Sequence, residues 1–217
     1  MQELIQFLKQ RLAEELPHSD IHKEGLDPKV LNLLIEEEKN AQAQFKEKPP
    51  RICAVMMAIY PDENKLYLPM MLRPQKSRAH PGQISFPGGK REDQDQDLIE
   101  TAIREMEEEV GVRVPRTNVL GDLTPIYIPP SNSLVTPIIG FLDKKPSYTP
   151  APDEVEKVLD VSMDDLANPT NKRAKKVILT NGEYFEMPAF AVNEVFIWGG
   201  TARMIMELNK LMEEFKK

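Results

Sequence analysis

From Arg51 onward the chain breaks into short β-prone runs, ICAVMMAIY, KLYLPMML, ISF, NVLGDLTPIYI, LVTPIIGFL, KKVILT, EYFEMPAF and EVFIW, and only two long helical patterns interrupt them. Strands this short are stable only when paired into a sheet whose faces are covered, so the two helices are the natural cover. One pattern spans residues 98–111. The other spans 200–215, where Ala202, Ile205, Leu208, Leu211, Met212 and Phe215 make an apolar stripe. Asn181-Gly182, between ILT and EYF, is a strong hairpin signal, because Asn-Gly readily takes the positive φ angles of a type I′ turn. An α/β architecture with a mixed sheet between helices is expected.

The first 48 residues have a different texture. Leu4, Ile5, Leu8, Leu12 and Leu16 fall on one helical face over residues 2–16, closed by Pro17, and a second helical pattern covers about residues 28–45. Pro49-Pro50 then marks a boundary. The expected division is a helical extension, residues 1–48, and a main domain, residues 49–217. The stripes of the extension must be buried on the domain core or on another subunit, as in a homodimer.

Charge and composition narrow the class of function. Twenty-eight basic against thirty-five acidic side chains give a net charge of −7, without the positive surplus that sequence-independent nucleic-acid binding requires. No apolar run approaches the ~18 residues needed to span a bilayer, so neither nucleic acid nor membrane is an expected partner. The start, rich in Glu3, Glu14 and Glu15, does not read as a signal peptide, and the single Cys53 cannot form an internal disulfide. A cytoplasmic location is expected. Cys53 reads as an apolar filler of its strand, and Phe196 and Trp198 as packing for the last helix.

Chemistry concentrates between residues 73 and 112. Arg73, Lys76, Arg78, Lys90 and Arg91 occur in residues 73–91 without one acid, whereas residues 92–112 hold nine acids against Arg104 alone. Carboxylates sorted beside cations suit a site that holds both a divalent metal and an anionic substrate. In the helix over 98–111, Ile99, Ala102, Ile103, Met106 and Val110 form the buried stripe. At 100° per residue, Glu108 lies about 60° to one side of Glu105 and Glu109 about 40° to the other. Three carboxylates on one face repel one another unless a cation neutralises them, and Mg²⁺ or Mn²⁺ is the natural candidate. Gly88 and Gly89, after Phe86-Pro87, let the backbone approach metal or phosphates where a Cβ would intrude.

These residues carry a family resemblance. Gly89 followed by Arg104-Glu105-Met106-Glu107-Glu108-Glu109-Val110-Gly111-Val112 resembles the Nudix box, a glycine, five residues, Glu, seven residues, then Arg-Glu-apolar-x-Glu-Glu-x-Gly-apolar. The second half matches throughout. In the first half Asp95 replaces Glu, and eight residues instead of seven separate it from Arg104. That longer loop is similar to the coenzyme A diphosphatase branch, as is the spacing of Arg73, Arg78, Gly82 and Phe86-Pro87-Gly88-Gly89. Pro74 departs from the branch's usual Ser or Ala, and Pro69-Met70-Met71 from its usual Leu-Leu-Thr.

The resemblance covers about residues 51–215 and implies a Nudix fold, with a mixed, largely antiparallel sheet between the two long helices. It implies metal-dependent hydrolysis of the diphosphate of coenzyme A or acyl-CoA, giving 3′,5′-ADP and 4′-phosphopantetheine. Glu105 and Glu109 are then the leading metal ligands, Glu108 shares the cluster, the Gly88 carbonyl completes it, and Arg104 orients the glutamates. Arg73, Arg78, Lys76, Gly89 and Lys90 are expected on the substrate. Two alternatives stand beside this reading: a hydrolase of another nucleoside diphosphate such as ADP-ribose or NADH, and a non-catalytic sensor on the same fold.

Overall fold

The structure is a computed structural model and describes residues 1–14, 16, 48–77, 80–178 and 184–217. The second helical pattern of the extension, Arg78 and the Asn181-Gly182 turn lie outside the described residues.

A mixed sheet forms the centre. Its strands are β1 (Arg51–Asp62), β2 (Lys65–Leu72), β3 (Ile84–Ser85), β4 (Gly88–Lys90), β5 (Val119–Asp122), β6 (Ile126–Ile128), β7 (Ser133–Phe141) and β8 (Lys157–Ser162). The path β3-β2-β1-β7-β5 runs through it, with β4 on β1, β6 on β7 and β8 on β2. Among the described strands of this sheet only β1 and β7 pair in parallel, from Arg51↔Ser133 to Ile59↔Phe141; the other pairs are antiparallel. A separate three-stranded sheet holds β9 (Lys172–Ile178), β10 (Tyr184–Val192) and β11 (Val195–Trp198). The antiparallel pair Ile178↔Tyr184 brackets the expected hairpin. Strands β4 and β8 have no counterpart among the runs picked out by β propensity: β4 is Gly-Gly-Lys, and β8 is interrupted by charge.

Helix α1 (Gln2–Leu12), α2 (Leu98–Val110), the short α3 (Met163–Ala167) and α4 (Gly199–Phe215) are the described α-helices. Asp97 caps α2, its side chain accepting from the Glu100 N–H, and Gly111 ends it at φ 73°, which favours glycine. Strand alternation divides the core in two. Ala54, Met56 and Ala58 of β1 meet Ala102, Ile103, Met106 and Val110 of α2, whereas Met57 and Ile59 face the cluster that contains Ile205, Leu208 and Leu211 of α4.

Helix α1 belongs to that second cluster. Leu4, Leu8 and Leu12 are buried in it, so the first stripe of the extension is covered by the domain core. Phe7 meets Phe215 at 5.3 Å between ring centroids, and Arg11 Nε donates to Glu214 Oε2 at 2.8 Å. At the crossing with β5, a Cβ on Gly121 would come within 2.6 Å of Leu12 Cβ, so glycine there permits the close approach. No described helix is long and apolar enough to cross a membrane.

Candidate active site

The sheet register builds the floor of a cleft. Cys53 pairs with Lys90 and Val55 with Gly88, while Arg51 and Cys53 pair with Ser133 and Val135. Side chains at these paired positions share a sheet face, and all of these residues line one cleft of about 490 Å³. Because β4 is only three residues long and contains two glycines, α2 carboxylates reach around it. A Cβ on Gly89 would stand 2.4 Å from the Glu105 carboxylate, and one on Gly88 would stand 2.4 Å from the Ala54 carbonyl oxygen. Glycine at 88 is therefore fixed by the β1 backbone, whereas glycine at 89 leaves room for the flexible Glu105 carboxylate.

Of the acids that line the cleft, Glu109 is the most deeply placed, 2% exposed. Its Oε2 accepts from the Gly88 N–H at 2.7 Å, and Arg73 Nη2 lies 3.8 Å from Oε1. Burial pushes its pKa up to about 8 against the pull of Arg73 and the Gly88 amide, with Glu105 and Glu154 raising it further. Burial likewise raises Glu105, opposed by Arg104 and reinforced by Glu108 and Glu154. Glu108 is 58% exposed at its side chain and stands at the rim.

Arg104 ties this edge together. Its Nη1 donates to Glu105 Oε1 at 2.9 Å and to Glu108 Oε2 at 3.0 Å, and its Nη2 donates to the Lys90 carbonyl at 3.1 Å. Its Nε and Nη2 grip both oxygens of buried Asp95. Those hydrogen bonds, together with donors from the Glu92 amide and the Thr101 hydroxyl, hold the Asp95 carboxyl well below the usual carboxylate range.

Other expected residues are distributed unevenly. Arg73, Gly88, Gly89 and Lys90 line the cleft. Lys76 instead pairs with exposed Asp153 at 3.0 Å and is not among the lining residues. The contact seen at Gly88 is made by its amide, on Glu109. Cys53 corrects the sequence reading: it is half-buried in the cleft, and burial pushes its thiol pKa up. Phe196 and Trp198 correct it too, since Phe196 is exposed and Trp198 lines the cleft, with Lys175 Nζ 5.6 Å from each ring centroid. Buried Ile197 between them provides the packing. Sequence reasoning missed Glu154, which joins the cleft from the loop before β8, and Arg51, whose strand-end position carried no motif.

Among the described residues, no three His, Cys, Asp or Glu side chains converge closely enough to hold a metal ion as they stand. The donor chemistry nevertheless fits a hard divalent cation. Glu105 and Glu109 are crowded acids, each raised by burial and by neighbouring carboxylates, and they supply oxygen donors of the kind Mg²⁺ and Mn²⁺ take.

A mixed sheet flanked by helices, with a glutamate-lined edge beside two glycines, is an α/β arrangement that solved structures share. A Nudix hydrolase from M. Smegmatis, RenU, is 14% identical, covers 76% of this chain and 87% of its own, and superposes with a TM-score of 0.51. A MutT protein from Methanosarcina mazei is 18% identical, covers 79% of this chain and 99% of its own, with a TM-score of 0.52. The NUDIX domain family matches residues 50–180, and the chain belongs to that family.

Curated relatives refine the similarity. The chain is 34% identical over 172 residues to a peroxisomal coenzyme A diphosphatase of Mus musculus, covering 76% of this chain and 72% of the relative. It is 36% identical over 131 residues to a mitochondrial coenzyme A diphosphatase of Mus musculus, covering 59% of this chain and 61% of the relative. It is 34% identical over 131 residues to the uncharacterized Nudix hydrolase NudL of Photorhabdus laumondii, covering 60% and 69%. The chain is a Nudix hydrolase with relatives among the coenzyme A diphosphatases.

Proposed function

We propose that this enzyme hydrolyses the diphosphate bond of coenzyme A or its acyl derivatives, giving 3′,5′-ADP and (acyl-)4′-phosphopantetheine, with Mg²⁺ or Mn²⁺ as the cofactor. The observation that carries the reading is the adjacency, in one cleft, of the Glu105 and Glu109 carboxylates, the Arg73 guanidinium and an apolar end. That end is lined by Ile84, Phe86, Ile128, Val135, Trp198 and Met204. Such a division suits a ligand with a charged nucleotide diphosphate and a long, weakly polar arm. The names of the two Mus musculus relatives support the same substrate.

Glu105 and Glu109 would hold the metal, with Glu108 at the rim and the Gly88 carbonyl beside them. A bound Mg²⁺ or Mn²⁺ withdraws charge from phosphoryl oxygens and lowers the pKa of a bound water. Arg104 acts through other side chains: anchored on Asp95, it fixes Glu105 and Glu108. Arg73 approaches from β2's end and binds a phosphoryl oxygen, its planar fork suited to two hydrogen bonds. Exposed Glu154, which forms no ion pair among the described residues, provides a proton acceptor at the rim for the attacking water.

Residues 49–217 form the hydrolase unit in this reading, and residues 1–48 are an extension whose first helix stabilises the core without lining the cleft. The cytoplasm, a reducing compartment compatible with a single free cysteine, is the proposed location.

The test is a substrate panel under Mg²⁺: coenzyme A, acetyl-CoA and a longer acyl-CoA, NADH, ADP-ribose and a nucleoside triphosphate, ranked by kcat/KM with products identified by mass. The CoA compounds are expected to lead. ADP-ribose or NADH leading instead would place the enzyme with another nucleoside diphosphate, and no turnover of any would favour a sensor.

A further inference from the structure

A second cavity of about 530 Å³ adjoins the cleft, and the two share Arg51, Lys90 and Glu92 as lining residues. Arg91 also lines it. Three cations of this wall come from neighbouring backbone positions. Lys90 pairs with Cys53 across β4 and β1, and the Arg91 N–H donates to the Ile52 carbonyl at 2.9 Å, which brings Arg91 beside the start of β1.

Their charges are not neutralised by acids. Arg51 Nη2 donates to the Ser131 carbonyl at 2.7 Å, and the Arg91 guanidinium donates to the carbonyls of Asp95 and Gln96. Among the described residues, Arg51, Lys90 and Arg91 form no ion pair with a carboxylate. Main-chain carbonyls orient the two guanidinium groups while leaving their full charge. Two exposed acids, Glu92 and Asp93, share the wall; Glu92 accepts a hydrogen bond from Gln94, and neither pairs with these cations. Arg73 is placed differently, 3.8 Å from Glu109 at the carboxylate end of the cleft. His80 lines the cleft with both arginines, and burial, then Arg73, then Arg51 lower its pKa.

We propose that Arg51 and Lys90, with Arg91 behind them, form a second anion-binding subsite at the mouth of the cleft that reads the 3′-phosphate of the nucleotide, while Arg73 serves the diphosphate. The inference rests on the coenzyme A reading above, because that substrate carries one phosphate group more on the same ribose than other nucleoside diphosphates do. Separation along the sheet suits this: Val55, opposite Gly88, is four residues from Arg51, about 13 Å at ~3.3 Å per residue, a gap that the long arginine side chain shortens. Arg51 is the better discriminator because its guanidinium can grip a phosphate with two parallel hydrogen bonds, whereas Lys90 adds a point charge.

Binding of the nucleotide product tests this without relying on turnover. Wild type, Arg51→Ala, Arg51→Lys and Lys90→Ala are titrated by calorimetry with adenosine 3′,5′-bisphosphate and with AMP, and thermal melts confirm that each variant is folded. Wild type is expected to bind the bisphosphate about ten- to a hundredfold more tightly than AMP, the range of a charge-assisted contact. In Arg51→Ala the loss should fall mainly on the bisphosphate, so that the preference shrinks towards unity; Lys90→Ala should shrink it less, and Arg51→Lys should restore part of it. No preference in wild type, or a preference that survives in Arg51→Ala, would overturn the subsite. If coenzyme A is not hydrolysed while the Arg51-dependent preference is found, the proposed activity fails and the subsite stands.

Discussion

Arg104 and Asp95 are joined by two hydrogen bonds, Nε to Oδ1 at 2.9 Å and Nη2 to Oδ2 at 2.8 Å, with the Asp95 side chain 1% exposed. Asp95 is the residue at which the sequence departs from the family pattern, and it anchors the arginine that positions Glu105 and Glu108. Asp95→Ala removes two charge-assisted hydrogen bonds while Glu105 and Glu108 still pair with Arg104, so it should cost about 1.5–3 kcal/mol at neutral pH. The folded Asp95 carboxyl titrates below its unfolded value, so its stabilisation is full above the unfolded pKa, about 3.9, and is lost as pH falls below it. Urea unfolding of wild type and variant should show a gap that narrows between pH 6 and pH 3. A gap independent of pH would assign the effect to packing.

Glu109 has the opposite linkage. Its folded pKa, about 8, lies above its ordinary value, so the stability gained by keeping the proton is full below about 4.5 and lost as pH rises through about 8. Metal-free wild type should therefore lose melting temperature between pH 5 and pH 9 more steeply than Glu109→Gln, which cannot ionise. With Mg²⁺, the same variant should lower kcat at least about a hundredfold, roughly 2.7 kcal/mol of transition-state stabilisation, while remaining folded. Parallel melting profiles would contradict the buried-acid assignment.

Gly89→Ala isolates the approach of Glu105. The added Cβ would meet the Glu105 carboxylate at 2.4 Å, a contact relieved only by moving that side chain. Because the carboxylate ends a flexible chain, melting should change by less than the ~4 °C that corresponds to 1 kcal/mol in a domain of this size, while kcat should fall about tenfold or more. A large loss of melting temperature with normal kcat in the folded fraction would instead make Gly89 a backbone-packing position.

Helix α1 separates stability from chemistry. Leu8 is fully buried in the cluster shared with α4 and is not among the cleft-lining residues. Leu8→Ala should cost about 2–5 kcal/mol by the transfer and cavity effects of a buried leucine. Equilibrium unfolding gives the cost, and kcat per folded molecule should stay within about twofold for a site with no shared partners. Loss of activity in a fully folded variant would assign α1 a role in the cleft.

The strand runs and both long helices were legible because burial imposes alternation on strands and a stripe on helices; α2 ends at Val110 with Gly111 beyond it, close to the boundary read from periodicity. The glutamates were legible because their spacing is local to one helix. Cys53, Trp198 and Glu154 were not, because whether a residue lines a cleft or a core depends on strand register and on loops returning from distant segments. Arg51 was hidden for the same reason: only the pairing of β1 with β4 and β7 brings it to the cleft. The burial of α1 was ambiguous in sequence, since an apolar stripe specifies a dry neighbour without identifying it.

The most direct measurement follows coenzyme A with purified enzyme and Mg²⁺, quantifying products by mass, with parallel reactions containing chelator or Glu109→Gln. The expected result is equal formation of 3′,5′-ADP and 4′-phosphopantetheine, abolished by chelation and reduced at least about a hundredfold in the variant. Intact coenzyme A under metal saturation, or hydrolysis indifferent both to chelation and to Glu109→Gln, would contradict a metal-dependent coenzyme A diphosphatase built on this glutamate edge.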